Sequence, residues 1–211
     1  RAAEYVKDGM VVGLGTGSTA EWAIRAVAER VQGGDLKDIR CIVTSSQTRA
    51  LASELGLTIM GLEDVEGVDL TIDGADQVDD DLNLIKGAGG ALLREKVVAF
   101  SSGEVIIVVD ESKWSKRLGE GVAVPVEVIP FAEAVVRGAL NNLGADGVDR
   151  VITANDSVIP VSRFQAPFDP KRREREMKRI PGVVENGLFV NLCDRVIVGQ
   201  GAGGAKVIDA V

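Results

Sequence analysis

The chain has 211 residues, 45% apolar and 27% charged, which suits one medium domain or one domain with a small appendage. It has no histidine and only two isolated cysteines, Cys41 and Cys193, which excludes Ser-His-Asp and Cys-His catalysis, His-ligated metals and a disulfide framework. Its 24 basic residues against 32 acidic ones, net −8, argue against nucleic acid or a membrane surface as the main partner, because both need a basic face. The elements then follow in chain order. Residues 10–14 form a short apolar run and predict a buried strand, and Ala20, Ala23, Ile24, Val27, Ala28 and Val31 fall at helical spacing until Gly33-Gly34. Residues 41–44 predict the next strand. Ser45-Ser46 then opens a helix through Leu51 and Leu55 that stops at Gly56. Val68, Leu70 and Ile72 alternate into a strand that ends at Asp73. A helix over about 91–101 follows Gly87-Ala88-Gly89-Gly90, and 105–109 reads as a further strand. Repeated βα units of this length mean a parallel sheet wrapped by helices.

From about residue 120 the rhythm changes. Residues 122–128 are extended and interrupted by Pro125, and Ala132, Val135, Val136, Ala139, Leu140 and Leu143 mark an amphipathic helix closed by Gly144. Strand-like pieces follow at 151–153 and 158–159. The charged stretch 171–179 has cations and anions interspersed, which predicts a solvated helix. Residues 195–199 read as a strand returning to the main sheet. Trp22 and Trp114 lack aromatic neighbours and are expected to be packing residues. The longest apolar run, 105–109, is far short of the roughly 18 residues of a membrane span. The chain begins at Arg1 with neither an initiator Met nor a signal-peptide pattern, so upstream residues are expected. Unpaired cysteines predict a reducing compartment, with the cytoplasm expected and a plastid as the alternative.

In open α/β sheets, ligands bind beyond the carboxyl ends of the strands, and three polar loops fall at such ends here. Gly15-Thr16-Gly17-Ser18-Thr19 joins a strand to a helix N-terminus, where backbone N–H groups, hydroxyls and the helix dipole favour an anion. It is neither a Walker loop nor a full GxGxxG, because Ser18 stands at the third glycine position. Asp73-Gly74-Ala75-Asp76 sets two carboxylates three residues apart, suited to sugar hydroxyls, proton transfer, a metal, or simple turn and cap duty. Lys86-Gly87-Ala88-Gly89-Gly90 offers an ammonium and a run of amides, and leads into Arg94-Glu95-Lys96. A glutamate flanked by cations is ordinarily solvated. Its place just after a glycine-rich loop makes Glu95 a candidate for moving a proton between adjacent sugar carbons.

Taken in order, the loops resemble the ribose-5-phosphate isomerases of the A type. The strings that carry the likeness are Gly13-Leu14-Gly15-Thr16-Gly17-Ser18-Thr19, Thr44-Ser45-Ser46, Asp73-Gly74-Ala75-Asp76, the run from Lys86 to Lys96, Ser112-Lys113, Pro125-Val126-Glu127-Val128, Ile180-Pro181-Gly182-Val183-Val184 and Gly187-Leu188-Phe189. Each alone is modest, whereas the ordered set is specific and spans nearly the whole chain. The resemblance implies an α/β fold: a parallel Rossmann-like sheet domain over 1–119 and 195–211, with a second, smaller, lid-like α+β domain over 120–194. It implies interconversion of ribose 5-phosphate and ribulose 5-phosphate in the non-oxidative pentose phosphate pathway, without metal or cofactor, by a homodimer or homotetramer. Glu95 would shuttle the proton through an enediolate, with Lys86 suited to the oxyanion and Asp73 or Asp76 to the hydroxyl protons. Thr16, Gly17, Ser18, Thr19, Gly74, Ala75, Gly87, Ala88, Gly89 and Lys113 would bind substrate. The chain departs from the family pattern at Gln77, where a glutamate is usual, and at 154, 156 and 157 in Thr153-Ala154-Asn155-Asp156-Ser157. It departs again in the nearly all-charged helix before Ile180. Two other readings compete: an acyl-CoA transferase of related fold, less suited to the phosphate loop and the Lys86–Glu95 spacing, and a non-catalytic sugar-phosphate sensor, which would need neither Glu95 nor Lys86.

Overall fold

The computed structural model describes residues 1–152, 158–201 and 203–210, so the departures at 153–157 lie outside the described residues. The elements in chain order are β1 (Val11–Leu14), α1 (Ser18–Gln32), β2 (Arg40–Val43), α2 (Ser46–Glu54), β3 (Thr58–Ile59), β4 (Val68–Asp73), β5 (Gln77–Val78), β6 (Leu84–Ile85), α3 (Leu92–Phe100) and β7 (Ser102–Asp110). They continue with β8 (Val124–Val128), α4 (Glu133–Asn142), β9 (Ala145–Ile152), β10 (Val158–Phe164), α5 (Pro170–Lys178), β11 (Val183–Asn186), β12 (Leu188–Phe189), β13 (Arg195–Gly199) and β14 (Ala205–Asp209). They form two compact units: Arg1–Gly74, Arg94–Ser112 and Leu192–Val211 make the first, Ala75–Leu93 and Lys113–Asn191 the second.

The first unit is built on one sheet in the order β14-β13-β7-β4-β1-β2-β3. Its pairings are parallel except for the antiparallel edge strand β14. As expected, β13 returns to this sheet, beside β7. The inner strands β1, β4, β7 and β13 carry buried apolar runs, as expected where both faces of a parallel sheet are covered. Helix α1 packs Ala20, Ile24, Val27 and Ala28 against Leu14, Ile72 and Ile106, the stripe that its periodicity predicts. Val98 of α3 packs with Val11, Ile42 and Val68 in a second cluster. Trp22 corrects the packing expectation: it projects from α1 and is 74% exposed. Trp114 is half-buried, its indole N–H donating to Asp80 Oδ1 at 2.9 Å.

The second unit carries a four-stranded antiparallel sheet, β11-β8-β10-β9, and a three-stranded one, β12-β6-β5. Val136 and Leu140 of α4 and Met177 of α5 pack on Val124, Val126 and Val128 of β8. The charged helix α5 is solvated as predicted, and two residues fasten it. Met177 is fully buried, and the Arg173 guanidinium lies 4.6 Å from the Phe164 ring centroid. Asp169 caps α5, accepting from the Arg172 N–H at 3.0 Å, with Pro170 at its first position.

The units divide the chain differently from the boundaries at 119/120 and 194/195. Residues 75–93 and 113–119 belong to the second unit, because β5 and β6 pair with each other and β6 pairs with β12. Strands of two residues carry no periodicity, so only their long-range partners reveal them. Among the described residues no helix is long and apolar enough to cross a membrane.

Candidate functional site

In the first unit the glycine-rich loop leaves the carboxyl end of β1. The Gly15 N–H donates to Ile72 O at 2.9 Å, which presses the loop against the end of β4. Only glycine fits there: a Cβ on Gly15 would lie 2.0 Å from Asp73 Oδ1 and 2.5 Å from Asp73 Cα. Asp73 is 2% exposed, and its Oδ1 accepts from Thr16 N at 3.0 Å and Gly74 N at 2.7 Å. Gly17, at φ +123°, then turns the chain into α1. Gly17 brings no side chain to cap α1, and the first turn carries exposed Ser18 and half-buried Thr19. An uncapped helix start with two hydroxyls is a place for an anion.

Helix α2 begins differently. Ser45 caps it, accepting from Thr48 N at 3.1 Å. The Thr16 hydroxyl is drawn into this cap, lying 2.8 Å from Thr44 Oγ1, 2.9 Å from Ser45 Oγ and 3.2 Å from Thr48 Oγ1. A cavity of about 200 Å³ opens along α1 and α2, lined by Gly15, Gly17, Arg25, Gln47 and Thr48 among others.

Glu95 stands in the first turn of α3, where a helix dipole favours a carboxylate. It is 4% exposed, although Arg94 beside it is solvated. The expectation of a solvated surface glutamate does not hold for this residue. The fourth and fifth positions of this run turn toward the interior, and the cationic neighbours in sequence give no sign of it.

In the second unit, Asp76 and the lysine loop meet through the backbone. Asp76 N donates to Ile85 O at 2.8 Å, and Asp76 Oδ2 accepts from Ala88 N at 3.0 Å. Lys86 is 3% exposed, with its Nζ 5.4 Å from the Phe189 ring centroid. Lys86 N donates to Gly187 O at 2.9 Å, and a Cβ on Gly187 would strike Lys86 O at 2.3 Å. Gly87 turns the loop at φ +106°, leaving Ala88 and Gly89 exposed. Ala75 and Lys113 are half-buried. In the preceding turn, burial pushes the Asp79 carboxyl up, opposed by hydrogen bonds from Asn83.

The structure therefore joins Thr16, Asp73 and Gly74 in one unit, which also holds Gly17, Ser18, Thr19 and Glu95. It joins Asp76 and Ala88 in the other, which also holds Ala75, Lys86, Gly87, Gly89 and Lys113. Sequence reading passed over Thr44, Ser45 and Thr48 as site residues. Their signals are the string Thr44-Ser45-Ser46 in the family likeness and a Ser/Thr run before a helix, which ordinarily means a cap. It also left Gln77 as a bare departure. Gln77 is buried, its Nε2 donating to Glu120 O at 3.0 Å and its Oε1 accepting from Gly119 N at 2.7 Å. Donor and acceptor on one planar group suit an amide and not a carboxylate. Among the described residues no group of three or more His, Cys, Asp or Glu side chains is placed to hold a metal ion.

A family model described as ribose 5-phosphate isomerase A (phosphoriboisomerase A) matches residues 40–203. The ribose-5-phosphate isomerase A of Thermosynechococcus vestitus is 45% identical over 207 residues, covering 94% of this chain and 88% of that protein. Its counterpart in Desulfatibacillum aliphaticivorans is 46% identical over 217 residues, covering 100% and 94%. A solved structure of D-ribose-5-phosphate isomerase in complex with phospho-erythronic acid superposes with a TM-score of 0.94 at 38% identity, covering 99% of this chain and 96% of that one. The ribose 5-phosphate isomerase from Plasmodium falciparum gives a TM-score of 0.93 at 36% identity, covering 99% and 95%.

Proposed function

The chain belongs to the ribose 5-phosphate isomerase A family, and from that premise we propose that it interconverts ribose 5-phosphate and ribulose 5-phosphate with Glu95 as the proton-transfer base. The observation that carries the assignment of the base is the burial of Glu95, a carboxylate just past the lysine loop in a chain without histidine. In this reading Glu95 removes the C2 proton of the open-chain aldose, and negative charge moves to the carbonyl oxygen at C1. Glu95 then returns a proton to the enediolate at C1, and exchange of the proton with solvent while it sits on the carboxyl is what carries deuterium into the substrate. A hydroxyl proton passes from O2 to O1, so the redox change is internal and needs no outside oxidant. The Lys86 ammonium, with the amides of Gly87, Ala88 and Gly89, stabilises the oxyanion. Asp73 and Asp76 handle the hydroxyl protons, with Gly74 and Ala75 against the sugar. Gly17, Ser18, Thr19 and Lys113 receive the phosphate; attraction of a dianion to so acidic a chain must be local. Phospho-erythronic acid, held by the relative named above, combines a phosphate with a carboxylate, the charge pattern that a phosphorylated enediolate presents. A homodimer or homotetramer in the cytoplasm completes the proposal.

The test is ketose formation from ribose 5-phosphate by Glu95→Gln. The amide keeps size and hydrogen bonding but cannot accept the proton. The expected result is a kcat lower by about 10² to 10⁴ with KM little changed, and loss of solvent-deuterium incorporation into substrate. Near-normal turnover would move the base elsewhere, with Asp73 or Asp76 next. Collapse of binding together with turnover would make Glu95 structural.

A further inference from the structure

The Thr48 hydroxyl clamps the peptide from which the anion loop springs. It is 3% exposed on α2 and donates to Gly15 O at 2.8 Å. The other end of the same peptide, Thr16 N–H, donates to Asp73 Oδ1 at 3.0 Å. The preceding peptide is held as well. Leu14 O accepts from Thr44 N and Thr44 Oγ1, each at 3.2 Å, and Gly15 N donates to Ile72 O. Glycines at 15 and 17 leave this stretch free to rotate unless something holds it.

Three bonds of the hydroxyl cluster have a defined donor, while the contacts of Thr16 Oγ1 with Thr44 Oγ1 and Thr48 Oγ1 can run either way. Thr48 gives its proton to Gly15 O and Ser45 gives its own to Thr48 Oγ1 at 3.0 Å. Thr16 gives its proton to Ser45 Oγ at 2.9 Å. Thr16 thus has its hydroxyl proton committed to the cluster and its N–H committed to Asp73. It has no donor left for an anion. The donors that remain in the loop lie beyond it, at Gly17, Ser18 and Thr19.

We propose that Thr48 is a positioning residue for substrate phosphate: by holding the Gly15 carbonyl toward α2 it keeps that oxygen away from the anion and fixes the Gly15–Thr16 peptide between α2 and Asp73, while Thr16 anchors the loop instead of contacting the phosphate. The inference rests on reading the loop as the phosphate cradle. Without the Thr48 hydroxyl the peptide is free to turn, and a carbonyl facing a dianion opposes binding. The arrangement also makes phosphate placement and the orientation of Asp73 depend on one peptide plane.

The experiment compares Thr48→Val, Thr48→Ala, Thr48→Ser and Ser18→Ala in the full chain. It measures KM and kcat for ribose 5-phosphate, the inhibition constant of inorganic phosphate, and the Tm. Thr48→Val should raise KM and the phosphate constant together, each about tenfold, with a smaller change in kcat. Thr48→Ser should restore both to within about twofold, since it keeps the buried donor. If Thr48→Val does not fold, the Ser–Ala comparison gives the same reading. If KM and the phosphate constant stay at the wild-type level in the hydroxyl-less variants while Ser18→Ala raises KM, the inference is overturned and the cradle stands. If Ser18→Ala also leaves KM unchanged, the cradle reading falls and the inference with it. A lower Tm and kcat with both constants unmoved would make Thr48 merely structural and overturn the proposal.

Discussion

Gly15→Ala is the sharpest test of how closely the loop is fitted to Asp73. The added Cβ would lie 2.0 Å from Asp73 Oδ1 and 2.1 Å from its Cγ, contacts that rotating the carboxylate would relieve. The contact of 2.5 Å to Asp73 Cα is backbone, and no rotamer removes it. Ordinary contact needs about 1 Å more, so β1 or β4 must shift by that much. Overpacking of this kind costs about 1–3 kcal/mol, and losing the bond from Thr16 N–H to a carboxylate adds about 1.5–3 kcal/mol. At about 2–4 °C per kcal/mol for a chain of this size, the Tm should fall by roughly 5–24 °C. Displacing a reacting group by about 1 Å typically costs on the order of 10² in rate, so kcat/KM should fall at least that far. Thermal unfolding and steady-state ketose formation measure the two effects. Gly138→Ala is the control: Gly138 lies within α4, and no atom stands within 4 Å of its Cβ position. It should stabilise by about 0.5–1 kcal/mol through helix propensity alone. If Gly15→Ala kept a wild-type Tm and activity, the close fit between loop and Asp73 would be wrong.

Further outcomes follow from buried groups. Gln77→Glu puts a second acceptor against Glu120 O and should cost about 1–3 kcal/mol at pH 7. That cost should shrink near pH 4, where a protonated glutamate can donate again; equal stability of both forms at pH 7 would refute the fit. Burial pushes the Cys41 thiol up from 9.0 to about 12 and does the same to Cys193, opposed there by smaller backbone hydrogen-bond contributions from Arg195 and Ile107. Both should resist a thiol reagent at pH 8 in the native chain and react in denaturant. Because the unfolded thiols ionise first, their contribution to stability should hold below pH 9 and be lost as pH rises from there through about 12. Denaturant midpoints that rise across that range would contradict the sign.

The sequence alone determined the strand–helix alternation of the first unit. Apolar runs at β1, β4, β7 and β13 and the stripe on α1 are local patterns, and burial on both faces of a parallel sheet demands them. The three loops were legible for the same reason: glycine, hydroxyl and carboxylate gather where strands end, and their order along the chain carried the family likeness. Tertiary structure decided the rest. Glu95 is buried although Arg94 and Lys96 flank it, because a helix residue's exposure depends on what packs over its face and not on its neighbours in sequence. Trp22 is exposed because it lies outside the stripe of Ala20, Ile24, Val27 and Ala28 that α1 turns to the core. Segment 75–93 joins the second unit because β6 finds its partner β12 about a hundred residues later, and strands so short are set by pairing alone. Thr48 and Thr16 are far apart in the chain; Thr48 is an ordinary threonine by local reading, and Thr16 reads as part of the anion loop. Their hydroxyls matter because β1 and β2 are parallel neighbours, which brings the loop that follows one strand against the helix cap that follows the other.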